Sequence, residues 1–270
     1  MKFLLIFSIL LFYSVQLCHG VNEPSEPNTD QQRLQEEITN LHNAANEFLA
    51  AGELDEALEK YEESLIVIKA YFGDEHPNVA AIRYNIARVL YSQNKVDEAI
   101  SQAEGALDMY AKVLGEDHAI VSSTLTGLTN ILVEQNRLDE ALIKLQRDLA
   151  IQRKIHGEKH SAVAEKLRGV GMIYFKQQNY DEAMETYAQA LEIYHSTVGE
   201  GHISTADTLD QMASASFHLG KLDEAIEFAE KAHDITSKEL GESANATLTA
   251  SDNLAFYKEQ AEAANTEAEL

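Results

Sequence analysis

Residues 54–73 read LDEALEKYEESLIVIKAYFG. Leu54, Ala57, Leu58, Tyr61, Leu65, Ile68 and Phe72 recur three and four apart, the spacing that puts side chains on one stripe of an α-helix. Gly73 closes the run, where the chain is expected to end the helix by turning left-handed, a conformation only glycine adopts cheaply. The stretch before it, ITNLHNAANEFLAAG from Ile38 to Gly52, carries Leu41, Ala44, Ala45 and Phe48 on a second stripe. Two helices joined by a turn make one unit.

That unit returns. Asp-Glu-Ala stands at 55–57, 97–99, 139–141, 181–183 and 223–225, each 42 residues from the last. Gly73, Gly115, Gly157, Gly199 and Gly241 keep the same interval. Self-similarity at a period of about 20–50 residues marks a solenoid. His76, His118, His160 and His202 also recur at 42, in the runs GDEHPNVA, GEDHAIVS, GEKHSAVA and GEGHISTA. Four histidines beside acids invite a metal reading. Yet equivalent positions of stacked helix pairs lie at least about 8–10 Å apart, whereas a zinc ion holds each nitrogen at about 2.0–2.1 Å. Each histidine instead follows a helix-ending glycine and precedes a new helix, where its ring can bond loose backbone ends. They are read as joints, with no metal and no cofactor.

The pattern resembles the tetratricopeptide repeat. The Asp-Glu-Ala triplets match the opening of its second helix. Ala45, Ala87, Gly171 and Ala213 fall at the close-packing position of the first helix. Tyr61 and Tyr187 match its aromatic position, and Ala106, Ala190 and Ala232 its second small one. The 42-residue period with Gly-x-x-His is similar to the kinesin light chain subtype. The short linker VNEPSEPNTDQQ, without heptads, does not fit a kinesin light chain itself. The resemblance implies an all-α, right-handed superhelical solenoid of about five helix-turn-helix repeats plus a C-terminal capping helix. It also implies a concave groove lined by the first helices, taking a peptide or protein segment.

By register, that groove would hold Tyr84, Arg88 and Tyr91 in the second repeat and Asn130 in the third. The fourth would contribute Arg168, Met172, Phe175 and Lys176, the fifth Phe217 and His218, and the closing helix Phe256. Asn43 and Asn85 match asparagines that contact bound peptide backbone in kinesin light chains, while Gly127, Gly169 and Gln211 interrupt their row. A groove basic and aromatic from repeats two to four and acidic at its far end is expected, with a ligand's acidic side towards Arg88 and Arg168.

Residues 1–20, MKFLLIFSILLFYSVQLCHG, have Lys2, then an apolar run from Phe3 to Leu17, then Cys18 and Gly20 before a plausible cleavage point. That is the order of a secretory signal peptide; an uncleaved signal-anchor is the alternative. The expected plan is signal 1–20, linker 21–33, solenoid 34–265 and tail 266–270. The protein would be secreted or lumenal, without stable membrane insertion after cleavage. Cys18 is the only cysteine, so the rest of the chain has no disulfide available. With 45 acidic and 21 basic residues the formal charge is −24, which repels nucleic acid and anionic membranes.

No HExxH, paired cysteine, phosphate loop or G-x-S-x-G occurs, and no catalytic residue is assigned. The reading is therefore a non-enzymatic interaction scaffold, with an acidic, low-affinity binder of cations or basic ligands as the alternative. Asn245-Ala-Thr247 is an N-glycosylation sequon at a predicted loop. Asp148 is the misfit: it stands where the other repeats have Ser64, Ala106, Ala190 and Ala232. A carboxylate there needs a partner, and Lys144, one turn earlier, is the expected one.

Overall fold

The structure is a computed structural model that describes residues 29–268, with side chains from 32 to 266. The expected signal segment lies outside the described residues. Among these residues the chain forms eleven helices and no strand. In order they are α1 (Thr29–Ala51), α2 (Leu54–Phe72), α3 (Pro77–Ser92), α4 (Val96–Leu114) and α5 (Ala119–Glu134). There follow α6 (Leu138–His156), α7 (Ser161–Lys176), α8 (Tyr180–Thr197), α9 (Ile203–His218), α10 (Leu222–Leu240) and α11 (Asn245–Ala268). Odd-numbered helices are the first of each pair, and α11 closes the series. The closing helix is longer than its apolar stripe suggests, and Asn245 opens it rather than lying in a loop. The chain divides into two compact units, one ending at Ile131 and the other starting at Leu132.

The triplet's logic is visible residue by residue. Ala57, Ala99, Ala141, Ala183 and Ala225 are all fully buried. The Asp and Glu before them occupy the first turn of each second helix, where carboxylates favour the positive end of the helix dipole. The aspartates also fasten the next repeat: Gln93 donates to Asp55 at 2.8 Å, and Gln177 to Asp139 at 2.7 Å.

The joints after the second helices differ from expectation. Gly73, Gly115, Gly157 and Gly241 have φ of 83°, 94°, 83° and 86°, but ψ of 174°, 151°, 168° and 160°. This is the mirror image of extended chain, not the left-handed helical region, and it is essentially closed to side chains. The left-handed residues sit at the other turns: Gly52, Asn94, Asn136, Gln178 and Gly220, again 42 apart, have φ of 57–83°. There the next N–H reaches back five residues, as from Lys95 to the Leu90 carbonyl at 2.9 Å, while Asn94 bonds Tyr91, the pairing of a Schellman cap.

The histidines start the following helices. The Nδ1 of His76, His118, His160 and His202 accepts the N–H two residues on, at 3.1–3.2 Å. Each therefore satisfies one of the N–H groups that a helix start leaves unpaired. His76 also stacks on Phe72, centroids 4.3 Å apart, and His160 on His156 at 4.2 Å. Pro77 stands at the first position of α3, where its missing N–H costs little.

Asp148 is fully buried, and Lys166 on α7 pairs with it at 2.9 Å, a partner that helical spacing along α6 does not reveal. The next first helix packs over this position, so the cation is delivered across the helix interface.

Candidate functional site

In the first unit, polar side chains of α1 and α3 bond to α2 or within their own helix. Tyr61 donates to Asn46 Oδ1 at 2.7 Å, and His42 meets the Tyr61 ring edge-on at 5.8 Å. Burial pushes the Tyr61 hydroxyl up to about 12 and lowers the pKa of His42, to which the Arg88 charge adds. Arg88 donates to Asn85 Oδ1 at 3.3 Å, and Asn85 is only 6% exposed. Its carbonyl oxygen is thus directed to Arg88, whereas Asn43 and Asn130 are exposed. Tyr91 is half-buried against the core of this unit. Gly127 breaks the asparagine row for a steric reason: a Cβ there would stand 1.9 Å from the Tyr84 hydroxyl.

In the second unit α7, α9 and α11 present a different surface. Phe175 meets His218 at 5.4 Å and Tyr180 at 5.3 Å, and His218 stacks flat on Tyr180 at 4.8 Å. Phe217 meets His218 at 5.6 Å and Phe256 at 5.2 Å, which brings the row of rings onto α11. Phe175 and Phe217 are half-buried and pack against core clusters. Phe256 is 44% and Met172 37% exposed, and Lys176 is exposed.

The acids hold earlier positions on the same helices: Glu165 on α7, Asp207 and Asp210 on α9, Asp252 on α11. Asn253 donates to Asp210 at 2.8 Å. Burial nonetheless raises the Asp210 pKa, against that bond and aided by Asp207. Arg168 lies beside Tyr194 and Tyr187 of α8, close enough for its charge to oppose the upward push that burial gives both hydroxyls. Within this unit, then, the acids stand earlier and the rings later on each first helix, and α11 carries both Asp252 and Phe256.

Sequence register places Phe175, Phe217 and Phe256 on these helices but does not reveal Tyr180 or Tyr257 as their neighbours. Tyr180 had a signal: the equivalent residues Leu54, Val96, Leu138 and Leu222 are aliphatic. Tyr257, bonded to Ser214 at 3.0 Å, had none. Asn245 is exposed, while Thr247 of its sequon is buried. Among the described residues no group of three or more His, Cys, Asp or Glu is placed to hold a metal ion. Nor is any of their helices long and apolar enough to cross a membrane.

Solved structures share this fold. A putative kinesin light chain of Podosopora anserina with nearly identical TPR-like repeats is 24% identical, over 75% of this chain and 96% of that one, with a TM-score of 0.64. BtubC (BKLC) from P. vanneervenii is 17% identical, over 78% and 94%, with a TM-score of 0.61. YrrB, described as a TPR protein with an unusual peptide-binding site, is 21% identical over 83% and 98%, with a TM-score of 0.52. No curated protein sequence matches the chain. The tetratricopeptide repeat model matches residues 36–112, 89–154, 134–196, 162–215 and 204–268, nearly the whole described length. The chain belongs to the tetratricopeptide repeat family.

Proposed function

We propose that the protein is a non-enzymatic interaction module that holds a segment of a partner protein on the first-helix face of its second unit. The observation that carries this reading is the row of rings from Phe175 through His218 and Phe217 to the exposed Phe256. Aromatic side chains supply most of the energy of such interfaces. YrrB, with its peptide-binding site, supports the reading by analogy of fold.

The charge expected of the ligand changes. Arg168 lies beside Tyr194 and Tyr187 of α8, and the acids Glu165, Asp207, Asp210 and Asp252 outnumber Arg168 and Lys176 on this face. A segment with aromatic or aliphatic anchors and a basic end suits this unit better than an acidic one. The module works in the secretory pathway or outside the cell, a reading that rests on residues 1–20; N-terminal sequencing of the native protein that found Met1 would overturn it.

Selection of peptides from a displayed random library on the full chain tests the surface. Selected peptides should combine aromatic or aliphatic residues with Lys or Arg. Their affinity should fall tenfold or more, about 1.4 kcal/mol, on Phe256→Ala or Met172→Ala, with the helical circular dichroism unchanged. Undiminished binding by both variants would show that this face is not the site.

A further inference from the structure

On the opposite, second-helix side of the second unit, α6, α7 and α8 enclose an open groove of about 680 Å³. Its floor is aliphatic and aromatic, with Leu149, Leu167, Val170 and Tyr174, and Arg153 and Lys154 stand at its edge. The surrounding stretch is unlike the rest of the chain. From Lys144 to Arg168 it holds seven of the 21 lysines and arginines but three of the 45 acids, a local balance of 7 − 3 = +4 in a chain of −24, whereas α8, the groove's other wall, has Asp181, Glu182, Glu185 and Glu192 and no Lys or Arg. The same helix leaves Ile143 64% and Ile155 44% exposed, so α6 offers both cations and apolar side chains to solvent.

We infer that this groove is a second docking site, and that it takes an acidic, amphipathic segment of a partner protein, aliphatic side chains on the floor and carboxylates at the rim. Charge complementarity selects that occupant. An acidic segment is repelled by most of this chain, α8 included, and attracted to the Arg153 and Lys154 edge, which steers its carboxylates to the α6 side of the groove. The rim guanidinium is within reach of such a ligand: Arg153 pairs with Glu158 at 3.0 Å, but the two side chains are 38% and 73% exposed. Exposed pairs of this kind contribute little to stability, so a ligand carboxylate can share or replace Glu158 at small cost. The two sides of the second unit are then opposite in preference, one aromatic and acidic, the other aliphatic and basic.

A fluorescein-labelled peptide of glutamate and leucine, with leucine at every third or fourth position, tests the groove by anisotropy on the full chain. Lys154→Glu reverses the rim charge, and Ala150→Trp fills the groove from an exposed position. Each should weaken binding at least tenfold and leave the circular dichroism unchanged; should Lys154→Glu impair folding, Lys154→Gln should weaken binding several-fold. Added salt should weaken it too, and Phe256→Ala should leave it unaltered, which separates this site from the first-helix face. Binding within about twofold of the unaltered chain in either Lys154→Glu or Ala150→Trp overturns the proposal. So does binding of phosphatidylserine vesicles in place of the peptide, lost on Lys154→Glu.

Discussion

Tyr61 in the first unit and Tyr187 in the second occupy one register position, three repeats apart, and both are buried. Their surroundings differ. Tyr61 shares its core cluster with Ala45 and spends its hydroxyl on Asn46. Tyr187 lies so close to α7 that a Cβ on Gly171 would stand 2.5 Å from its ring. The contrast extends outwards. In the first unit, Arg88 bonds Asn85 on its own helix, and Asn46 bonds the buried Tyr61 of α2. The second unit's side chains form a partly open row of rings. One repeating frame thus supports a face with paired polar groups and another with a partly open row of rings. The frame residues decide the fold; the residues between them decide what each face offers.

The largest expected effect tests the buried Lys166–Asp148 pair of the second unit. Lys166→Met removes the cation that reaches the fully buried Asp148 carboxylate across the helix interface, and should cost about 3–5 kcal/mol in urea unfolding. Adding Asp148→Ala should recover most of it, since Ala106 and Ala190 fill the same position elsewhere. A double variant as unstable as the single one would show that the pair is not the cause.

Next is the close approach of α7 and α8. Gly171→Ala would ordinarily gain helix propensity, about 1 kcal/mol. Here the added methyl meets the Tyr187 ring, so a net loss of about 1–3 kcal/mol is expected, the usual cost of overpacking. A rise in thermal midpoint would mean that the helices part freely.

Acid should act through the first unit. Burial lowers the pKa of His42 and, more weakly shielded from water, of His76. The unfolded chain then binds protons more readily than the folded one, so these groups' contribution is intact above about pH 6.5. It is lost progressively as pH falls from there through the lowered folded values. Replacing His42 with Gln should flatten the slope of stability against pH in this window. An unchanged slope would remove His42 from the account.

The smallest effect has the opposite sign. Gln178 holds φ of 63° at a turn where the first and fifth repeats use Gly52 and Gly220. Gln178→Gly should stabilise by about 0.5–1 kcal/mol, relieving a conformation that side chains resist. Thermal unfolding that showed a loss would mean the Gln177–Asp139 bond beside it depends on the side chain at 178.

The sequence by itself determined the helix pairs, their number and their family. Burial of one alanine, one turn and one cap per repeat must recur in every layer, so the period is written wherever stacking demands the same residue. Asp-Glu-Ala, the glycines and the four histidines are such positions, and the chain states them in order. The sequence also placed Phe175, Phe217 and Phe256 on one set of helices, because register follows from the period. The tertiary structure alone decided which neighbours those positions meet. Lys166 reaches Asp148 across a helix interface, and Arg168 lies beside Tyr194 of α8. Asn85 is closed over by Arg88, and Tyr257 joins the last rings. Helical spacing relates residues three and four apart along one helix, whereas a long side chain chooses among partners on three helices. That choice depends on rotamer, depth and the room left by a glycine, none of which a linear pattern records.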